Sequence, residues 1–225
     1  EAGIPIYIGC GASPGLTNIM AVDAANDLDE VHRIDVNWLV GHEKVAGRAV
    51  VDHMLHISAG ECLTWEGGRR VMHQSMASAD RFPIFPNEPD RVLYETAHPE
   101  PVTLPRKYPN ADRIRCYGGL EPICQCGFSR GLGLATLDGR MTRAEAADFM
   151  FNIANGTSYG TLTGWKAALG GVYAQISRRE TTWAEAIKYL VWSAFDWQLP
   201  YRGGLMAQVY GTKNGKPAVS SRRAN

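Results

Sequence analysis

Ile4-Pro5-Ile6-Tyr7-Ile8-Gly9-Cys10-Gly11-Ala12-Ser13-Pro14-Gly15-Leu16-Thr17-Asn18 is the stretch that decides the fold. An apolar, β-branched run meets two glycines, then Ser-Pro-Gly, then a segment with helical spacing. That order predicts a buried strand, a tight turn and a helix. Ser13 is a candidate N-cap, and Pro14 suits the first helical position, where its missing N–H leaves no donor unpaired. Turns of this kind present free backbone N–H groups to anions and cofactors.

Gly9-x-Gly11 opens like a dinucleotide fingerprint, but the third glycine of that pattern falls on Pro14. Proline does not give the close helix–strand packing that the third glycine allows. Nor does a clear strand end in an acidic residue about twenty residues on. Asp35 lies inside the strand-like run 31–40, not at its end. The stretch therefore reads as a turn entering a second domain.

A chain of 225 residues can bury a substantial core as one large domain or two small ones. Its formal net charge of zero argues against nucleic-acid binding through a basic field. No run of about eighteen apolar residues exists to span a membrane, and no signal peptide is expected. Five cysteines, at positions 10, 62, 116, 124 and 126, lack the spacing of a disulfide scaffold. Cys124-x-Cys126 without a second pair is a poor zinc signal, so the five read as buried reduced thiols of a cytoplasmic protein, with no metal site. The chain opens on Glu1 and is expected to begin in mid-fold, as part of a longer protein.

Helical spacing covers 16–27, and Ile34, Val36 and Trp38 alternate as in a half-buried strand. Gly41-His42-Glu43 breaks that strand. A helix is expected over 46–59 with Gly60 as its C′ residue. Gly67-Gly68 joins a hairpin of 62–66 and 69–73. An ordered loop over 81–89 precedes a strand at 91–97. Prolines at 99, 101 and 105 then exclude a helix interior and a central strand. Arg113 to Tyr117 alternates as a strand ended by Gly118-Gly119. Capping boxes at Thr142…Glu145 and Thr182…Glu185 start two helices, with a weaker one over 162–177 between them. Asn214-Gly215 closes a last hairpin. This order predicts an α+β fold, a mixed and largely antiparallel sheet covered by helices.

His98 and Glu100 lie on a proline-stiffened segment directly after a strand, a place for substrate contacts or proton transfer. His53 and His56 have the spacing of a metal-binding pair but no evident third ligand. Trp183, Trp192 and Trp197 could form a stacking platform, although Trp183 lies on the apolar stripe and reads as core. Gly9, Gly11 and Gly15 have the missing side chains that close backbone approach needs. Ser129 to Gly133 lacks the preceding strand of a phosphate loop.

Gly9-x-Gly11-x-x-Pro14-Gly15-Leu16-x-Asn18 resembles the segment that leaves the last Rossmann strand in saccharopine dehydrogenase-like enzymes, including the lysine 6-dehydrogenase branch. Glu95-Thr-x-His98-Pro-Glu100-x-Val-Thr103-Leu-Pro105 is similar to that family's substrate-domain loop, and 209–216 to its late hairpin. The resemblance implies the second domain of an NAD or NADP-dependent dehydrogenase acting on the C–N bond of an amino acid or amine, as a homodimer, with 1–12 the end of a Rossmann domain and 13–225 a substrate-binding and dimerisation domain. It implies that Gly11, Ala12, Ser13, Pro14 and Gly15 face the nicotinamide, with most of the cofactor held by a domain outside this chain. Asn18, Glu100 and Thr103 would contact substrate, and His98 would be the catalytic base. The isolated chain is then not expected to be active. Saccharopine-forming members carry an acidic residue before Pro-Gly, whereas Ser13 stands here, which tilts the implied substrate toward lysine or another amino acid or amine. The alternative is a non-catalytic dimerising or small-molecule-binding module.

Overall fold

The computed structural model describes residues 3–5, 8–41, 47–195 and 202–225. Ile6, Tyr7, the break at His42-Glu43, the helix start at Ala46, and Trp197 lie outside the described residues, as does the side chain of Trp192. The elements run α1 (Leu16–Ala25), β1 (Glu30–Gly41), α2 (Arg48–Ala59), β2 (Glu61–Glu66), β3 (Arg69–Gln74), β4 (Ala79–Phe82) and β5 (Arg91–Glu95). The short α3 (Glu100–Thr103) runs into a 3-10 turn (Leu104–Arg106), followed by β6 (Arg113–Glu121) and α4 (Cys124–Leu137). Then come α5 (Arg143–Ala154), α6 (Leu162–Ser177), α7 (Trp183–Phe195), β7 (Gly204–Lys213) and β8 (Lys216–Ala224).

The eight described strands form one mixed sheet of order β3-β2-β6-β1-β7-β8, with β5 joined to β6 and β4 to β5. Only β1 and β6 run parallel, pairing Ile34 with Ile114 and Val36 with Cys116; the other ladders are antiparallel. With seven α-helices among the described residues, the fold is α+β, as the pattern of strands and helices predicts.

Strand alternation puts Ile34, Val36 and Trp38 on the face that α1 covers. There they pack with Met20, Ala21, Ala24, Ile114, Cys116, Ala207 and Val209. A second core lies between α2, α4, α5 and α6, around Leu55, Phe128, Leu132, Phe149 and Val172. Helix α2 joins the two, with Ile57 in the sheet core and Val51 and Leu55 in the helical one. Both capping boxes form: Thr142 N–H and Thr182 N–H donate to the carboxylates of Glu145 and Glu185 at 2.7 and 3.0 Å.

Several expectations need correction. Among the described residues of 3–8 there is no strand, and Ile4 and Ile8 are 73% and 90% exposed. No described strand pairs with residues 3–5 or 8. Gly118-Gly119 does not end β6, which runs on to Glu121. A Cβ on Gly118 would lie 2.0 Å from the Trp38 ring, so glycine here admits an indole rather than stopping a strand. Gly60 caps α2 at φ −73° with an extended ψ, not in the left-handed region. The 98–106 segment is not a plain loop: its prolines occupy the first turns of α3 and the 3-10 turn, where their missing N–H is harmless. The 81–89 loop is preceded by β4, which extends to Phe82. A helix, α4, follows β6 where none was expected, so a strand does precede Ser129 to Gly133. Those glycines lie mid-helix, however, and Gly131 and Gly133 are buried against α6 and α2. Trp183 is 60% exposed beside Tyr173 instead of in the core. Four cysteines are buried and free, but Cys10 is exposed.

Candidate functional site

The Gly-Pro turn and the start of α1 meet α3 at the edge of the sheet core. Helix α1 begins at Leu16, and its N-cap is Gly15, not Ser13. Gly15 adopts φ +130°, and a Cβ there would lie 2.3 Å from the Gly11 carbonyl oxygen, so only glycine closes this turn. The turn then satisfies itself. Gly11 N–H donates to the Pro14 carbonyl, Leu16 N–H to that of Gly11, and Thr17 N–H to that of Ala12, at 2.9 to 3.1 Å. Gly15 N–H donates to Asn18 Oδ1 at 3.1 Å.

Freed from capping, the Ser13 hydroxyl donates a short hydrogen bond to Glu100 Oε1. Thr17 Oγ1 donates to the same oxygen at 2.8 Å. His98 Nδ1 lies 3.2 Å from Ser13 Oγ and 3.7 Å from Glu100 Oε2. Asn18 Nδ2 donates to Thr103 Oγ1 at 2.8 Å, and that hydroxyl faces the Pro99 and Glu100 carbonyls at 3.2 and 3.3 Å. All the sequence-predicted side chains Ser13, Asn18, His98, Glu100 and Thr103 are thus brought into one cluster from segments more than eighty residues apart.

The hydrogen bonds fix the protons. Ser13 has a single hydroxyl hydrogen and gives it to Glu100, so its oxygen accepts from His98 Nδ1–H. In neutral His98 the lone pair is therefore on Nε2, for which the described residues provide no hydrogen-bond partner. The Glu100 side chain is fully buried. Burial alone would raise its pKa, but the neighbouring His98 and hydrogen bonds from Ser13 and Thr17 outweigh burial and hold it below the ordinary value. A buried carboxylate stays ionised and orients an imidazole. His98 also lies against the Trp38 ring at a centroid distance of 5.1 Å and near His53 at 6.1 Å. Burial, then the neighbouring His98, lowers the pKa of His53.

Sequence reasoning missed Thr17, Trp38 and Cys116 as members of this cluster. Strand alternation carries a signal for two of them, because Cys116 shares a face with Ile114 and lies opposite Val36, two residues from Trp38 in β1. The Cys116 thiol, a His98 ring nitrogen and a Glu100 oxygen lie within 4.8 Å of one another, near enough to share an ion. His98 Nδ1 is already a donor to Ser13, however. Complete burial, then the Glu100 charge, pushes the Cys116 thiol well above its ordinary pKa and keeps it protonated. The trio fits a proton-ordered cluster better than a metal centre. His53 and His56 are both exposed on α2 and gather no third ligand among the described residues.

A second polar network, also missed, lies between β2, β3, β5 and β6. Buried Glu95 accepts from Ser78 at 2.9 Å and faces His73 Nδ1 at 3.2 Å and Arg115 Nη1 at 3.4 Å. Arg115 also bonds Glu66, which lies 3.7 Å from His73 Nε2. Each charge has an opposite neighbour, and the network reads as a closed structural one.

Fold and site together define an α+β domain with a buried, ionised Glu100 beside His98 under a glycine-proline turn. No helix among the described residues is long and apolar enough to cross a membrane. No family model matches the sequence, and no curated protein matches it. Among solved structures, apo histidine-tagged saccharopine dehydrogenase (L-Glu forming) from Saccharomyces cerevisiae is similar, with a TM-score of 0.44 and 11% identity. The match covers 94% of this chain and 58% of that one, so the chain spans a little over half the length of that protein.

Proposed function

We propose that this chain is the substrate-side domain of an NAD(P)-dependent oxidoreductase acting on the C–N bond of an amino acid or amine, working as a homodimer. The observation that carries the reading is the convergence of the turn residues Ser13 and Asn18 with His98, Glu100 and Thr103. Oxidation at a carbon bearing nitrogen needs a base for the amine or water proton beside a rigidly held substrate. His98 supplies the base through Nε2, because Ser13 and Glu100 hold Nδ1–H. The negative charge on Glu100 stabilises the imidazolium that forms. Asn18 and Thr103 lie beside this pair and orient the substrate.

Bound NAD(P) would supply the acceptor for the hydride leaving the carbon that bears nitrogen. The turn fits the edge of a planar ring, since Gly11 and Ala12 are exposed and Gly11 has no side chain. It does not fit a phosphate, because the N–H groups of Gly11, Gly15, Leu16 and Thr17 are already used within it. The reading therefore assigns the nucleotide half of the cofactor to another unit of the protein.

The test is NAD(P)H formation by the product of the complete gene over a panel of amino acids and polyamines. His98→Ala is expected to lower kcat by about 10²- to 10⁴-fold and to remove the acid limb of its pH profile. No turnover with any amine, or a variant kcat equal to the parent's at every pH, overturns the reading and leaves a binding module.

A further inference from the structure

A groove of about 180 Å³ lies between α4 and α6, well apart in sequence from the Glu100 cluster. Arg130, Arg140 and Lys166 line it together with Gly131 and Gly170, and no acidic side chain lines it. The three cations come from three places: α4, the turn after it, and α6. Glycine sets the floor of the groove. A Cβ on Gly131 would lie 2.1 Å from the Ala167 carbonyl oxygen, so the helices cross too closely for any side chain between them.

Arg130 is the unexplained group. It is half-buried, and its Nε is buried with no hydrogen-bond partner. Among the described residues it makes no ion pair. Glu180 is near enough to act on it electrostatically, yet that carboxylate is already committed to Arg178 at 2.6 and 2.9 Å and to the Tyr94 hydroxyl at 2.8 Å. Burial, followed by the charge of Arg178, lowers the pKa of Arg130, as expected for a guanidinium short of an anion. Lys166 likewise has no ion pair among the described residues. Arg140 is held by Asp138 at 2.8 Å, an exposed pair that contributes little and can turn into the groove. A partly desolvated cation without a counter-charge is costly.

We propose that this groove binds a small phosphate-class dianion, either inorganic phosphate or the phosphoryl group of a metabolite. Arg130 would grip two oxygens through its planar fork, with Lys166 and Arg140 as further positive charges. The volume suits one phosphoryl group and not a whole nucleotide. The site does not depend on the oxidoreductase reading, since neither His98 nor the Gly-Pro turn takes part in it.

The experiment is titration of the full chain with inorganic phosphate, with glycerol 3-phosphate and with sodium chloride at matched ionic strength, followed by calorimetry and thermal unfolding. Saturable phosphate binding is expected, with a rise in Tm that the chloride control lacks. Tighter binding of glycerol 3-phosphate identifies a phosphorylated metabolite; tighter binding of phosphate identifies the free ion. Arg130→Gln and Lys166→Gln should each weaken binding about tenfold or more, while their Tm without phosphate stays level or rises. His98→Ala should bind phosphate like the parent, whatever its activity. Equal effects of phosphate and chloride, or phosphate affinity unchanged in both groove variants, overturn the proposal.

Discussion

Thr17 Oγ1 donates a hydrogen bond to Glu100 Oε1 at 2.8 Å across 83 positions of sequence, inside the core. This bond ties the first turn of α1 to the first residue of α3. It lets a carboxylate stay charged at zero exposure, because Ser13 gives a second hydroxyl to the same oxygen. The turn and the proline-rich segment are thus one unit held around one charge.

The first prediction concerns acid. The Glu100 carboxyl in the fold lies below its ordinary 4.5. Its contribution to stability is therefore fully present above that value and is lost as pH falls through the lower folded value. Glu100→Gln should lower stability at neutral pH by about 1.5–3 kcal/mol, the range for hydrogen bonds to a charged group. It should also flatten the fall in stability below pH 4.5. Urea unfolding of both proteins from neutral to acid pH measures this, and parallel curves would contradict it.

The second concerns Asn18 and Thr103, whose side chains bond at 2.8 Å beside the carboxylate. Asn18→Ala and Thr103→Val should each destabilise by about 1 kcal/mol, and the double variant by less than their sum. A thermodynamic cycle giving a coupling of about 0.5–1.5 kcal/mol is expected. Additive effects would mean that the two side chains do not act together.

His98, Glu100 and the turn at Ser13-Pro14-Gly15 were legible from residue chemistry because both segments announce themselves, whereas Asn18 and Thr103 entered only through the family resemblance. Ser13-Pro14-Gly15 and His98-Pro99-Glu100 combine backbone-stiffening residues with polar groups next to predicted elements. The hydroxyl of Thr17 and the thiol of Cys116 were not legible, because each lies on a regular element whose burial depends on register. The β1–β6 pairing is parallel and joins strands separated by four others in the chain, which no local pattern reports. Gly118-Gly119 misled for a similar reason: glycine stops a strand or makes room for a neighbour, and the neighbour here is Trp38, from β1. Helix α4 was hidden by its glycines at 127, 131 and 133, which disfavour helix locally but are needed where α2 and α6 press against it.

The third prediction tests that account. Gly118→Ala would put a methyl group within 2.0 Å of the Trp38 ring, inside the core that supports His98. The indole cannot withdraw without disturbing Ile34 and Val36 on the same strand. Overpacking of this kind costs about 1–3 kcal/mol. For a chain of this length that lowers Tm by roughly 3–10 °C. An unchanged Tm would mean that the strand pair is looser than its register implies.

The last concerns the thiols. Cys10 is exposed on the opening turn, whereas Cys62, Cys116, Cys124 and Cys126 are buried and unpaired. Burial, with the Glu95 charge added, pushes the Cys62 thiol up to about 12. Burial also pushes Cys126 up to about 12 and raises Cys124 and Cys116. Reaction needs both a thiolate and access, and the four buried groups have neither in the folded state. A disulfide reagent at neutral pH should therefore label one thiol per native chain quickly, and Cys10→Ser should abolish that phase. The other four should react only as the chain unfolds, with one shared rate, because the sheet core and the helical core are joined through α2 and open together. A second fast thiol assigned to Cys124 or Cys126 would mean that the helical core opens on its own, and that the two halves of the fold are less tightly coupled than Ile57 and Leu55 on one helix require.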